Sequence, residues 1–387
     1  MERCKIRADL VRLVEFARKV YQTRDFIPLH EPRFIGREKV LVQKCIDSTF
    51  VSSVGEFVDT FEQQLALYTG AKYAVATVSG TSALHIALLL ANVERGTEVI
   101  TQSLSFIATC NAITYCGAVP VFIDVDKSAL SLSPKALREF LETYGELRDG
   151  KCYNNRSNKR LSACVPMNTF GHSCESDEIK SICDHWNIPM IEDAAESLGS
   201  FYKGKHTGTT ALLAAISFNG NKIITAGGGG AIITNDEVLA KKAKHLTTTA
   251  KIPHKWEFKH DMIGYNYRMP NINAALLCAQ LEQLGSFIEN KRTTAKKYEK
   301  FCNNNQIDFI SEPLNATSNY WLNTILLKNH QERNDFLDFS NSQGVMTRPV
   351  WSLLNELPMF ENCFAMPLPN SEWLADRLVN IPSSVRV

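Results

Sequence analysis

From about residue 73 to 235, short β-branched apolar runs alternate with amphipathic stretches of ten or more residues. The runs are YAVATV (73–78), EVITQ (98–102), VPVFIDV (119–125), SACVPMN (162–168), IPMIED (188–193), LAAISF (213–218) and GAIIT (230–234). Helix-like stretches lie between most of them, such as SALHIALLLANV after the first and SDEIKSICDHWN before the fifth. Strands joined by crossover helices form a mostly parallel sheet, covered on both faces, which is why the runs are near-continuously apolar instead of alternating. The pattern predicts an α/β large domain.

The excursion YGELRDGKCYNNRSNKR (144–160) breaks the rhythm; polar, basic and rich in turn formers, it reads as an exposed loop. After about residue 236 the pattern turns to long helices, DEVLAKKAKHL and then NINAALLCAQLEQLGSFIENKRTTAKKYEKFC, the second long enough to link domains. YWLNTILL (320–327), HQERNDFLDFSNSQ (330–343) and VMTRPVW (345–351) then suggest a smaller α+β unit. The expected division is an N-terminal helical extension over 1–30, the large domain over 31–270, and the linking helix with a small C-terminal domain over 271–387.

Composition narrows the function classes. With 387 residues, 44% of them hydrophobic, the chain can bury a large core. A net charge of +1 gives no broad field for nucleic acid or an anionic membrane, so an anionic ligand needs a local site. The N-terminal MERCKIRADLVRLVEFARKVY is amphipathic and interrupted by charges, unlike a signal peptide, and no segment reaches the roughly 20 uncharged apolar residues of a membrane helix. Eleven cysteines, from Cys4 to Cys363, form no CxxC pair and no Cys/His cluster, which predicts a reducing cytoplasm and no structural metal.

Four segments carry candidate chemistry, each with a plainer alternative. In VSGTSALHIAL, small residues Ser79–Ser82 at a strand-to-helix turn offer free amides to a phosphate, or simply cap a helix. In MIEDAAESLGS, Asp193 closes an apolar strand, where it can pair with a protonated heterocyclic nitrogen or cap the next helix. In ISFNGNKIITAGGGGAIIT, Lys222 lies between an apolar strand and Gly227–Gly230: either a Schiff-base nucleophile, with Ser217 as a phosphate ligand, or a surface lysine before a glycine-rich hairpin. In MIGYNYRMPNINAALL, Asn266 and Arg268 can address phosphates or serve in capping and packing.

Taken in order, these segments resemble the DegT/DnrJ/EryC/StrS family of sugar aminotransferases from about Ile27 to the C-terminus. The resemblance implies the aspartate-aminotransferase type fold (fold type I), with pyridoxal 5'-phosphate (PLP) cycling with pyridoxamine 5'-phosphate. It makes Lys222 the lysine bonded to the cofactor and Ser217, five residues earlier, a phosphate ligand. Asp193 becomes the partner of the pyridine nitrogen, and Glu196 the residue near the ring hydroxyl, where many relatives have Gln or His. Gly80 and Thr81 match the backbone phosphate cradle, with Ser79 in place of the usual Asn, and Phe106 matches the aromatic stacked on the ring. Asn266 matches the residue that reaches the neighbouring subunit's cofactor, implying a homodimer with shared sites. The family's frequent GEGG is GGGG here.

The excursion, the GGGG run and TRPVW look most like the subgroup making 4-amino sugars for legionaminic acid, with perosamine synthetases close by. The implied reaction moves an amino group from L-glutamate to C4 of a nucleotide-linked 4-keto-6-deoxy sugar, with UDP and a 2-acetamido group expected. Arg268, Tyr320, Arg348 and Trp351 are candidate substrate contacts, because a diphosphate and a base need cations and aromatic faces. The rivals are a sugar dehydratase, whose relatives carry His at the lysine position, and a non-catalytic sensor, whose mark is loss of Lys222 or Asp193.

Overall fold

Seven strands make the central layer of the computed structural model, which describes residues 6–386. They are β1 (Tyr73–Thr77), β2 (Glu98–Gln102), β3 (Val119–Ile123), β4 (Lys159–Val165), β5 (Ile191–Asp193), β6 (Leu213–Ser217) and β7 (Gly230–Thr234). Their spatial order is β1-β7-β6-β5-β4-β2-β3, with β5 joined to β4 through parallel bridges at Cys164–Met190 and Met167–Asp193. Among the seven, β7 runs against both its neighbours and the other six share one direction. The sheet is mixed but mostly parallel, and residues on both faces of β2 and β3, such as Val99, Ile100, Val121 and Phe122, are fully buried.

Helices cover those faces. Before α2 (Gly80–Leu90) comes an N-terminal helix, α1 (Ala8–Tyr21). Ser79 caps α2 by accepting a hydrogen bond from the Ser82 amide, and the helix is apolar nearly all round because it is buried between sheet and neighbours. α3 (Ile107–Tyr115) follows β2, and the 34-residue α4 (Asn271–Asn304) leads into the C-terminal elements.

The segment 144–160 corrects the loop expectation. Gly145–Arg148 and Lys151–Asn154 pair as an antiparallel hairpin, and the second strand continues onto β4 through Tyr153–Arg160 and Asn154–Lys159. Its turn is Asp149-Gly150, both at positive φ, as a two-residue hairpin demands. Charged side chains hid the strands, since one face is wet: Glu146, for example, pairs with Arg148.

Four short antiparallel strands form the C-terminal sheet, in the order Asp308–Phe309, Asn323–Leu326, Leu378–Ile381, Arg348–Pro349. α1 packs into the same unit: Leu10, Leu13, Val14 and Ala17 form an i, i+3, i+4, i+7 stripe in one apolar cluster with Tyr298, Cys302, Ile325 and Phe336. Residues 1–5, including Cys4, lie outside the described residues.

Candidate active site

The C-terminal ends of β1, β5 and β6 open into one cavity of about 360 Å³, where ligands of open α/β sheets collect. Its lining includes Gly80, Thr81, Phe106, Asp193, Glu196, Ser217, Lys222 and Trp351. Three of the four sequence motifs that carry chemistry, separated by more than 100 residues, therefore meet in one place, the exception being the segment of Asn266 and Arg268.

Lys222 sits in the turn that joins β6 to β7. Phe218 donates its amide to Gly229, the Lys222 amide donates to Asn219, and the Thr225 hydroxyl donates to the Phe218 carbonyl, so the turn is cross-braced. The ε-nitrogen donates to Glu196 Oε1 at 3.0 Å and lies 4.0 Å from the centroid of the Trp321 ring. The other Glu196 oxygen accepts the Phe170 amide at 2.9 Å. Phe170 takes a left-handed conformation, φ 57°, uncommon outside glycine and asparagine. Burial raises the Glu196 carboxyl above the usual range, while Lys222 and the Phe170 amide act to lower it.

Asp193 ends β5, 5% exposed. Thr109 donates its hydroxyl to Oδ2 at 2.7 Å, and the Ala195 amide donates to Oδ1 at 3.2 Å. Burial pushes this carboxyl up as well; the two hydrogen bonds and Lys222 oppose the shift. Two buried acids thus face a single ammonium, an arrangement with room for one further cation.

Opposite the acids, the start of α2 meets Ser217. The first amides of a helix have no acceptor within the helix, so Gly80 and Thr81 present N–H groups at its positive end. Here glycine is a steric requirement: a Cβ at Gly80 would stand 2.7 Å from Ser217 Cβ, and one at Gly230 would stand 2.3 Å from the Ser79 carbonyl carbon. The two turns are pressed together, which brings the Ser217 hydroxyl beside the helix start.

Aromatic rings form the remaining wall. Phe106 stands at the start of α3 and is 45% exposed, its ring 5.9 Å from that of Trp351, which in turn lies 5.1 Å from that of Phe170. Tyr320 and Arg348 do not reach the cavity. The Tyr320 ring is buried, edge-on to His172, and its hydroxyl accepts the Glu312 amide, while Arg348 is exposed and donates to Asn341 and the Thr347 carbonyl. Asn266 and Arg268 also lie outside it, bonded to each other on the strip that pairs with the end of β1 at Thr77. Thr109 and Trp321 were missed from the sequence. Thr109 had a signal, standing three residues beyond Phe106 in the first turn of the same helix; Trp321 stood next to a chosen tyrosine.

The geometry agrees with the comparisons. The DegT/DnrJ/EryC1/StrS aminotransferase family matches residues 34–387. EpsN of Bacillus subtilis (strain 168) is 39% identical over 336 residues, covering 87% of this chain and 84% of EpsN. The GDP-perosamine synthase of Escherichia coli O157:H7 is 35% identical over 358 residues, covering 92% and 93%.

The chain belongs to this aminotransferase family.

It is accordingly a PLP-dependent aminotransferase. Among solved structures, Helicobacter pylori PseC, an aminotransferase involved in the biosynthesis of pseudoaminic acid, superposes with a TM-score of 0.83 at 24% identity, covering 92% of this chain and 94% of PseC. The resemblance in fold extends to nearly the whole chain. The cavity's residues suit the cofactor: Gly80, Thr81 and Ser217 offer donors to a phosphate, Asp193 forms no ion pair among the described residues, and Lys222 is the amine that lines the same cavity.

Proposed function

We propose that this aminotransferase moves an amino group from L-glutamate to C4 of a 4-keto-6-deoxy sugar carried by a nucleoside diphosphate. The observation that carries the reading is Lys222, buried between Glu196 and Trp321 in the cavity that Asp193 also lines. Bound there, PLP supplies an aldehyde for the amine and a ring that takes up the electron pair released when a proton leaves the substrate carbon.

The chain's own residues do the rest. Gly80, Thr81 and Ser217 would hold the cofactor's phosphate by hydrogen bonds, and Phe106 would offer the cofactor's ring an aromatic wall. Asp193, steadied by Thr109, would keep a proton on the ring nitrogen, which would leave the ring electron-poor. Lys222 Nζ would be the base that takes the proton from the donor's Cα and the acid that gives it back, and with the keto sugar it would serve in the reverse sense. Glu196, 3.0 Å from Nζ, accepts the surplus proton whenever the ammonium must become an amine.

Two readings of the nucleotide stand. The 145–154 hairpin, the Gly227–Gly230 run and the Thr347–Trp351 segment support a UDP-linked 2-acetamido sugar on the way to legionaminic acid or a related surface glycan. The relatives named GDP-perosamine synthase, from Escherichia coli O157:H7 at 35% and Vibrio cholerae at 32% identity, favour a GDP-sugar. Trp351, on the cavity wall, is the substrate contact we retain, and Arg268 can serve a neighbouring subunit's site.

A homodimer completes the reading. Shortly before Asn266 in the chain, the segment 251–263, closed by the pairing of Lys251–Ile252 with Lys259–His260, carries Trp256, Phe258 and Ile263, each more than 70% exposed, an apolar group that a second copy would cover.

Glutamate-dependent amination across UDP-, GDP- and dTDP-linked 4-keto sugars tests the reaction and selects the nucleotide. Lys222→Ala should lower turnover about 10³-fold or more. Wild-type turnover in that variant refutes the assigned role.

A further inference from the structure

Trp321 belongs to none of the motifs read from the sequence, yet both parts of its indole act on Lys222. The ring face lies under the ε-nitrogen at 4.0 Å from the centroid, and Nε1–H donates at 2.7 Å to the carbonyl of Asn221, the residue that precedes Lys222. The backbone of Trp321 is pinned in turn. Its amide donates to Asn319 Oδ1 at 2.7 Å, and its carbonyl accepts Lys291 Nζ at 3.1 Å. Lys291, fully buried in the middle of α4, also donates to the Ser383 carbonyl. Burial lowers the pKa of the Lys291 ammonium to about 7, and in either protonation state a buried nitrogen donor is costly without its two carbonyl partners, so the anchor fixes the place of the tryptophan.

We propose that Trp321, anchored by Lys291, is a positioning residue for Lys222: its N–H fixes the turn at Asn221 and its ring face sets the direction of the ε-nitrogen. This rests on the reading of Lys222 as the lysine that bonds to the cofactor. In that capture the ammonium first gives a proton to the Glu196 carboxylate, 3.0 Å away. The free amine then adds to the aldehyde carbon, a carbon–nitrogen bond replaces the carbon–oxygen bond, and the oxygen leaves as water with the two remaining nitrogen protons. A nitrogen held in one direction reaches the carbon more often than one that wanders, which is a gain in rate without a gain in phosphate binding.

The test uses the full-length protein freed of cofactor. Rapid mixing with PLP gives the rate of covalent capture from the growth of visible absorbance. Equilibrium dialysis with pyridoxamine 5'-phosphate, which has no aldehyde, gives the affinity of the cavity alone. Trp321→Leu should slow capture about tenfold, because the ε-nitrogen loses both the ring that directs it and the N–H that fixes its turn, and Trp321→Phe, which keeps a ring but loses the N–H, about threefold. Both should bind pyridoxamine 5'-phosphate within about twofold of wild type. Capture at the wild-type rate in either variant overturns the proposal, as does a loss of pyridoxamine 5'-phosphate affinity equal to the loss in capture rate. If the leucine variant does not fold, the phenylalanine variant decides alone. Lys222→Ala separates the two readings: the wild-type absorbance change in that variant sinks the role of Lys222 whatever Trp321 does.

Discussion

Thr109 holds Asp193: its hydroxyl donates to Oδ2 over 2.7 Å from the first turn of the helix that Phe106 opens. One helix start therefore supplies both a ring for the cavity wall and the hold on the buried acid. Since Ala195 takes the other oxygen, the carboxylate is fixed in plane before any ligand arrives.

Thr109→Val should therefore lower kcat about tenfold, because a hydrogen bond to a charged group is worth about 1.5–3 kcal/mol and only part of it bears on the transition state. Asp193→Asn, which removes the charge, should cost about 10²–10³-fold. Steady-state kinetics with saturating PLP separate the two, and equal losses would mean that Thr109 does more than steady its neighbour.

Gly80→Ala should weaken PLP binding about tenfold or more and cost about 1–3 kcal/mol of stability, because the added Cβ meets Ser217 Cβ at 2.7 Å and one of the two turns must move. Equilibrium dialysis and urea unfolding check the two effects. Wild-type affinity would show that the amides of this turn do not hold the phosphate.

The strands were legible because burial on both faces leaves only one kind of residue: Val99, Ile100, Val121 and Ile123 have no exposed surface, and their runs stand out without periodicity. Asp193 and Ser217 were legible for a related reason, as polar residues that end apolar strands. Trp321 was not. It follows Tyr320, and either aromatic could have faced the cavity; the choice falls to a turn in which Tyr320 adopts φ 47° and Asn319 binds the Trp321 amide. Arg348 shows the same kind of local control, its guanidinium being turned onto Asn341 and the Thr347 carbonyl and away from the cavity. The pairing of Glu196 with Lys222 joins residues 26 apart, which no local pattern encodes.

Behind Asp193, Glu192 is fully buried. Its Oε1 accepts from Asn168 and the Gly208 amide, while Oε2 meets no partner among the described residues. Burial pushes this carboxyl from 4.5 up to about 7. Between those values the folded chain holds a proton that the unfolded chain has lost, so stability falls as pH rises from 4.5 to about 7 and is level above. Glu192→Gln does not titrate. From pH 5 to pH 8, the unfolding free energy of the variant relative to wild type should move in the variant's favour by about 3 kcal/mol. Urea unfolding at several pH values measures this, and a difference independent of pH would show that Glu192 keeps one protonation state throughout.

Asn266 lies outside the cavity of its own chain, on an exposed strip that follows in sequence the segment carrying the exposed Trp256, Phe258 and Ile263. If a second copy covers that strip and takes Asn266 into its site, two damaged chains can repair one another. Asn266→Ala and Lys222→Ala homodimers should each be nearly inactive. A heterodimer of the two would carry one site with both residues intact, the lysine from one chain and the asparagine from the other. Random exchange of equal amounts should restore about a quarter of wild-type activity, since half the dimers are mixed and each has one sound site of two. Trp256→Asp combined with Phe258→Asp should produce monomers by light scattering and prevent the restoration, because a buried unpaired carboxylate is expensive at an interface. Restoration without a dimer, or a dimer without restoration, would separate assembly from the sharing of the site and remove Asn266 from the chemistry.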